Sequence, residues 1–155
     1  MITRYEFDLD FEISSIWFRH PPVVKVSLDD HLLFEGPVAE KQKIRYAGML
    51  DQGLHHLRLI YQGKTDADTD LDRKLDTAVI LEKLSLFGID DMKFIWAGKY
   101  RPEYPSQWAS QQTNTLSEIL YNQTYLGWNG TWELSLELPI FTWIHRLQNL
   151  GWIYD

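Results

Sequence analysis

From Arg4 to Ile13 the chain alternates strictly, with Tyr5, Phe7, Leu9, Phe11 and Ile13 on one face and Arg4, Glu6, Asp8, Asp10 and Glu12 on the other. Successive side chains of a strand point to opposite sides, so this pattern predicts a half-buried β-strand. "PVVKVSLDD" predicts a second strand, in which Val24, Val26 and Leu28 alternate with Lys25 and Ser27, and Asp29-Asp30 turns it into the short "HLLFEG". "KQKIRYAGML" is a third candidate, and Asp51-Gln52-Gly53 leads into a fourth, "LHHLRLIYQG", with Leu57, Leu59 and Tyr61 on one face. "TAVILEKLSLFGI" opens β-branched and then alternates through Leu84, Leu86 and Phe87, a strand covered on both faces at its start.

The period is then lost. "MKFIWAGKYRPEYPSQWASQQ" carries Pro102, Pro105 and several rings without a repeat, so a long ordered loop is expected. Strands resume in "LSEILYNQTYLGWNGTWELSLELP" around Asn129-Gly130, a favoured hairpin dipeptide. Trp132, Leu134, Leu136 and Leu138 share a face there, and Pro139 ends the run. Only "FTWIHRLQNLG" has helical spacing, with Gly151 as its expected stop. Many short strands separated by polar turns, with no helices between them, predict an antiparallel β-sandwich of jelly-roll type with a short C-terminal helix. At 155 residues the chain is expected to form one domain, 1–155, closed by a docking segment at about 139–155.

Between the fourth and fifth strands lies "GKTDADTDLDRKLD", which places Asp66, Asp68, Asp70, Asp72 and Asp76 in one connector. The EF-hand pattern fails, because Leu71 stands where the loop needs Gly and Thr77 where it needs Glu. A looser calcium site built from these five aspartates is the alternative to a solvated, turn-rich connector, since crowded carboxylates repel unless a cation neutralises them. Lys64, Arg73 and Lys74 can supply part of that neutralisation. "GKT" is not the end of a phosphate loop: Arg58 occupies the place of its first glycine.

A net charge of −7, with no Lys/Arg run, argues against nucleic acid as a partner. The chain has no cysteine, hence neither disulfides nor thiolate metal sites. Its first residues carry no secretory pattern, so Asn122-Gln123-Thr124 and Asn129-Gly130-Thr131 are read as chance matches to the glycosylation motif, and no apolar stretch has membrane-spanning length. The five histidines form no zinc-protease pair, and no nucleophile elbow is present. His55 and His56 are adjacent in a strand, so they face opposite ways. A non-enzymatic protein is expected.

Seven Trp, eight Tyr and seven Phe then need placing. Phe7, Phe11 and Trp17 follow strand patterns and are assigned to the core. Trp96, Tyr100, Tyr104 and Trp108 lie in the aperiodic segment, where rings either pack, stack on sugars or contact a partner. Phe141, Trp143, Trp152 and Tyr154 crowd the C-terminus, and so much apolar surface must dock on the sandwich or on another subunit.

Two resemblances bear on these alternatives. Gly53 to Asp90, "GLHHLRLIYQGKTDADTD…DTAVILEKLSLFGID", resembles the strand–acidic loop–strand core of carbohydrate-binding-module-like β-sandwiches. "DLDRKLD", Asp70 to Asp76, is similar to the loop in which xylan-binding modules hold calcium, without the Asn-Asp pair that precedes it there. "WAGKYRPEYPSQWASQQ" and "TYLGWNGTWELSLELPIFTWIHRLQNLGWIYD" resemble small uncharacterised proteins of tailed bacteriophages, over about the last two-thirds of the chain. The second resemblance implies a structural component of the virion, synthesised in the host cytoplasm, whose partners are other virion proteins or further copies of itself. The first implies an adhesin for host glycans with calcium as its candidate cofactor.

Overall fold

The computed structural model describes residues 2–104, 109–114 and 116–153, with side chains through residue 148. Two antiparallel sheets pack face to face. One holds β1 (Arg4–Ile16), β4 (Gln42–Asp51), β6 (Ala78–Leu86), β7 (Ile89–Asp90) and β10 (Tyr125–Leu126), in the order β10-β6-β1-β4 with β7 added to β6. The other runs β3-β2-β5-β11-β8-β9, from β2 (Val23–Leu28), β3 (His31–Pro37), β5 (Gly53–Gln62), β8 (Lys99–Pro102), β9 (Leu120–Tyr121) and β11 (Gly130–Leu138). This is the mainly β, antiparallel sandwich that the alternation predicts.

The core lies where the apolar faces meet. Phe7, Leu9, Phe11 and Ile13 of β1 are buried against Leu57, Leu59 and Tyr61 of β5 and Trp132, Leu134, Leu136 and Leu138 of β11. Phe11 and Trp132 stack across the layers, with ring centroids 5.5 Å apart. Burying each such side chain contributes roughly 1.5–3 kcal/mol, so these alternating faces hold the two sheets together. Asp29, at φ 51°, supplies the left-handed residue of the β2–β3 turn, a conformation that aspartate tolerates.

Four expectations need correction. The aperiodic segment is not a long loop throughout: it contains a short helix, α1 (Met92–Trp96), capped by Asp91, whose carboxylate accepts from the Lys93 N–H at 2.9 Å, and then β8. Asn129-Gly130 does not turn a hairpin, because β10 and β11 belong to different sheets and the dipeptide carries the chain between them. Trp17 stands just beyond β1 and is 42% exposed, outside the core. The C-terminal helix, α2 (Ile140–Ile153), continues through Gly151. Its Ile140 and Ile144 are buried, with Trp143 and Leu147 packed beside them, so this stretch docks on the chain's own sandwich by one apolar stripe.

Candidate functional site

The acidic connector fans its carboxylates apart. Thr65 and Asp68 form a reciprocal cap around the 3-10 turn Asp66–Asp68, with the Thr65 N–H donating to Asp68 Oδ2 at 2.8 Å. Asp68 is fully buried and meets Arg19 Nη1 at 3.3 Å and His20 Nε2 at 3.0 Å. Asp70 closes a tight turn through paired backbone bonds with Leu75 and accepts from the Arg73 N–H at 3.1 Å. Asp66 and Asp72 point into solvent. Among the described residues no group of three or more His, Asp or Glu side chains converges to hold a metal. Calcium asks for six to eight oxygens around one point, and these five aspartates do not provide it.

Asp76 faces the other way, into a cleft of about 360 Å³. Lys64 Nζ donates to Asp76 Oδ1 at 2.7 Å and to the Gly127 carbonyl at 2.6 Å, and it sits 5.7 Å from the centre of the Trp128 ring. Thr69 Oγ1 donates to Asp76 Oδ1 at 2.8 Å, and the Tyr125 hydroxyl donates to Oδ2. Partial burial alone would raise the Asp76 carboxyl; the hydrogen bonds from Lys64, Tyr125, Thr69 and the Thr77 backbone outweigh it and hold it below the usual carboxylate range. Burial first, and Asp76 second, push the Tyr125 phenol up, so it remains a proton donor.

Backbone contacts fix the cleft wall. Asn129 clasps Lys64 on both sides, accepting from its N–H and donating to its carbonyl, each at 2.9 Å. The buried Tyr100 hydroxyl donates to the Trp128 carbonyl and accepts from the Trp128 N–H at 3.2 Å. Gln123 adds an amide at the rim, and the Tyr125 ring is 43% exposed. The result is a carboxylate held by three side-chain hydrogen bonds beside the Tyr125 and Trp128 rings. Such a cleft suits a ligand with both hydroxyl groups and an apolar ring face. Among the described lining residues Asp76 is the one carboxylate.

The aromatic candidates separate. Tyr100 is 1% exposed and offers its hydroxyl as a support, not its ring as a platform. Tyr104 is half-buried, packs edge-on to Trp128 with centroids 6.0 Å apart, and donates to the Ser117 carbonyl at 2.9 Å. Trp96 is 44% exposed at the end of α1 and does not line the cleft. Trp108 lies outside the described residues. Phe141 is 57% exposed with its ring 5.2 Å from Phe87, while Trp143 packs on Phe94 at 5.9 Å. Tyr154 and the Trp152 side chain lie outside the described residues. The cleft residues missed by sequence reasoning are Gln123, Tyr125 and Trp128; the signal lay in "TYLGW", two rings flanking a glycine next to the sheet crossing.

Comparison with known proteins gives no matching family model and no matching curated protein. Among solved structures the chain is similar to one described as vCBM60 in complex with galactobiose, at 9% identity and a TM-score of 0.49, over 82% of this chain and 96% of that one.

Proposed function

We propose that this protein is a non-catalytic binding module that takes a neutral glycan in the cleft beside Trp128. One observation carries the reading: the Asp76 carboxylate is clamped by Lys64, Thr69 and Tyr125 next to the exposed Tyr125 ring. A fixed carboxylate accepts from sugar hydroxyls, and an aromatic face packs on the apolar side of a pyranose ring. An acidic sugar would meet Asp76, while Lys64 is already engaged, so a neutral chain fits better. Lys64 also supplies the neutralising charge that a metal would otherwise bring. The test is a glycan array followed by calorimetry on any hit. Tyr125→Ala or Trp128→Ala should weaken binding about tenfold or more, ~1.4 kcal/mol, and a chelator should leave it unchanged. An array that stays silent with and without calcium would end this reading.

A second reading rests on a different surface. Phe141, Trp96, Met92 and Ile89 are all exposed on α2, α1 and β7, and Phe141 extends the contact of Phe87 with the core Phe7. We propose that these exposed side chains dock on other proteins of a bacteriophage particle, so that the virion is the protein's destination after synthesis in the host cytoplasm. The two readings are compatible, since a subunit can dock by one face and hold a host glycan by another. Mass spectrometry of purified particles tests the second: the chain should be present at stoichiometric level, and its absence would refute virion membership.

A further inference from the structure

β4 is the outermost strand of its sheet. It pairs with β1 over ten consecutive residues, Gln42 to Asp51, without a bulge, and among the described residues no other strand pairs with it. Among the described residues, 42–51 make no backbone–backbone hydrogen bond beyond the β1 ladder, and at its end the Asp51 carbonyl lies 2.7 Å from His55 Nε2. An open strand edge is a template for another strand, and proteins that avoid pairing blunt it with proline, bulges, short length or charge. β4 contains no proline and is ten residues long. Charge is its one potential guard, and the charges are placed in a way that a second copy would match.

We infer that two copies of this chain pair antiparallel along β4, about a two-fold axis at Ala47, to join their sheets into one. Ile44 and Leu50 face the core, while Lys43, Arg45, Ala47, Met49 and Asp51 face outward. Pairing must set outward residues against outward ones, because a one-residue slip would turn every side chain to the wrong face. With Ala47 opposite its own mate, Lys43 meets Asp51 at both ends and Ile44 meets Leu50, while each Tyr46 ring stays folded over Gly48 of its own strand. Lys43 makes no ion pair within the chain among the described residues, and the Asp51 carboxylate pairs with the exposed Arg4, at 3.2 Å. An axis at Tyr46 would set Lys43 against Met49 and lose the charge match. An axis at Gly48 would set Arg45 against Asp51, but Asp10 and Asp8 already hold Arg45 at 2.8 Å each. Such a contact is isologous and closes at the dimer.

The absence of native cysteine makes a direct test available. In an antiparallel pair directly opposed Cα atoms lie about 4.5–5.5 Å apart, within the ~4.4–6.8 Å span of a disulfide. Under mild oxidation Ala47→Cys should form a linked dimer much faster than Leu71→Cys, a control at an 84% exposed position remote from the edge. Sedimentation of the unmodified chain from micromolar to millimolar concentration should show a monomer–dimer equilibrium. Lys43→Asp should shift it to monomer, and Lys43→Asp with Asp51→Lys should restore the dimer. A chain that stays monomeric throughout, or Ala47→Cys that links no faster than Leu71→Cys, overturns the inference.

Discussion

Lys64 is 7% exposed along its side chain, so its ammonium is nearly lost to water and depends on Asp76, the Gly127 carbonyl and the Trp128 ring for stabilisation. Removing one member of such a pair leaves the other buried without its counterpart, which costs more than the pair contributes over a neutral replacement. Lys64→Met should therefore lower unfolding stability by about 2–3 kcal/mol in urea denaturation, and adding Asp76→Asn should recover most of that loss. Equal losses in the single and double variants would show that the pair is not coupled. Sequence reading reached both residues but not the site. It named Lys64 as a neutraliser and Asp76 as one of five candidate metal ligands, yet no spacing rule joins them to Gln123, Tyr125 and Trp128, which a strand pairing of β10 with β6 brings across. The acidic residues also share composition without sharing a role: Asp68 is held by Arg19 and His20 from the other side of the connector, a contact that only the fold creates.

At the scale of elements, the strands were legible wherever one face is buried, because burial forces the period of two. β1, β2, β5 and β11 show it plainly: their inward residues are those that the alternation selects. The errors fall where local chemistry permits two outcomes. Asn129-Gly130 favours a hairpin locally, but here Asn129 spends its side chain on the Lys64 backbone, and Gly130, at φ 154°, starts β11 beside β8. That contact is tight. A Cβ on Gly130 would lie 2.4 Å from the Arg101 carbonyl oxygen and 2.8 Å from Pro102 Cα, both backbone atoms that cannot turn aside. Gly130→Ala should therefore cost about 3 kcal/mol and loosen β8 from β11. Thermal melting and amide exchange check this: exchange at Arg101 should accelerate more than exchange in β1. Unchanged melting would mean that the β8 edge yields to the methyl group.

For the molecule as a whole, pH should set the stability through groups that the fold ties together. His55 places Nδ1 2.5 Å from Asp29 Oδ2 and Nε2 2.7 Å from the Asp51 carbonyl, so both ring nitrogens face acceptors. Burial alone would lower its pKa, but the hydrogen bonds to Asp29 and Asp51 prevail and raise it. For Asp29, burial would raise the carboxyl, and the bonds from His55 and the His56 N–H hold it low. The raised histidine contributes stability that is complete below its unfolded value of about 6.5 and is lost as pH rises through its higher folded value. The lowered Asp29 and Asp76 contribute stability that is present above about 3.9 and is lost as pH falls through their folded values. Melting temperature should therefore peak between about pH 4 and 6.5 and decline on the alkaline side. The decline is also the direction in which the net charge of −7 leaves its acids unopposed. His55→Gln separates the two causes: it keeps a hydrogen-bonding side chain but cannot titrate, so it should lower the peak and flatten the alkaline slope. A slope that survives this substitution would assign the pH dependence to general charge repulsion, and the pin that joins the β2–β3 turn to β5 would then be pH-independent.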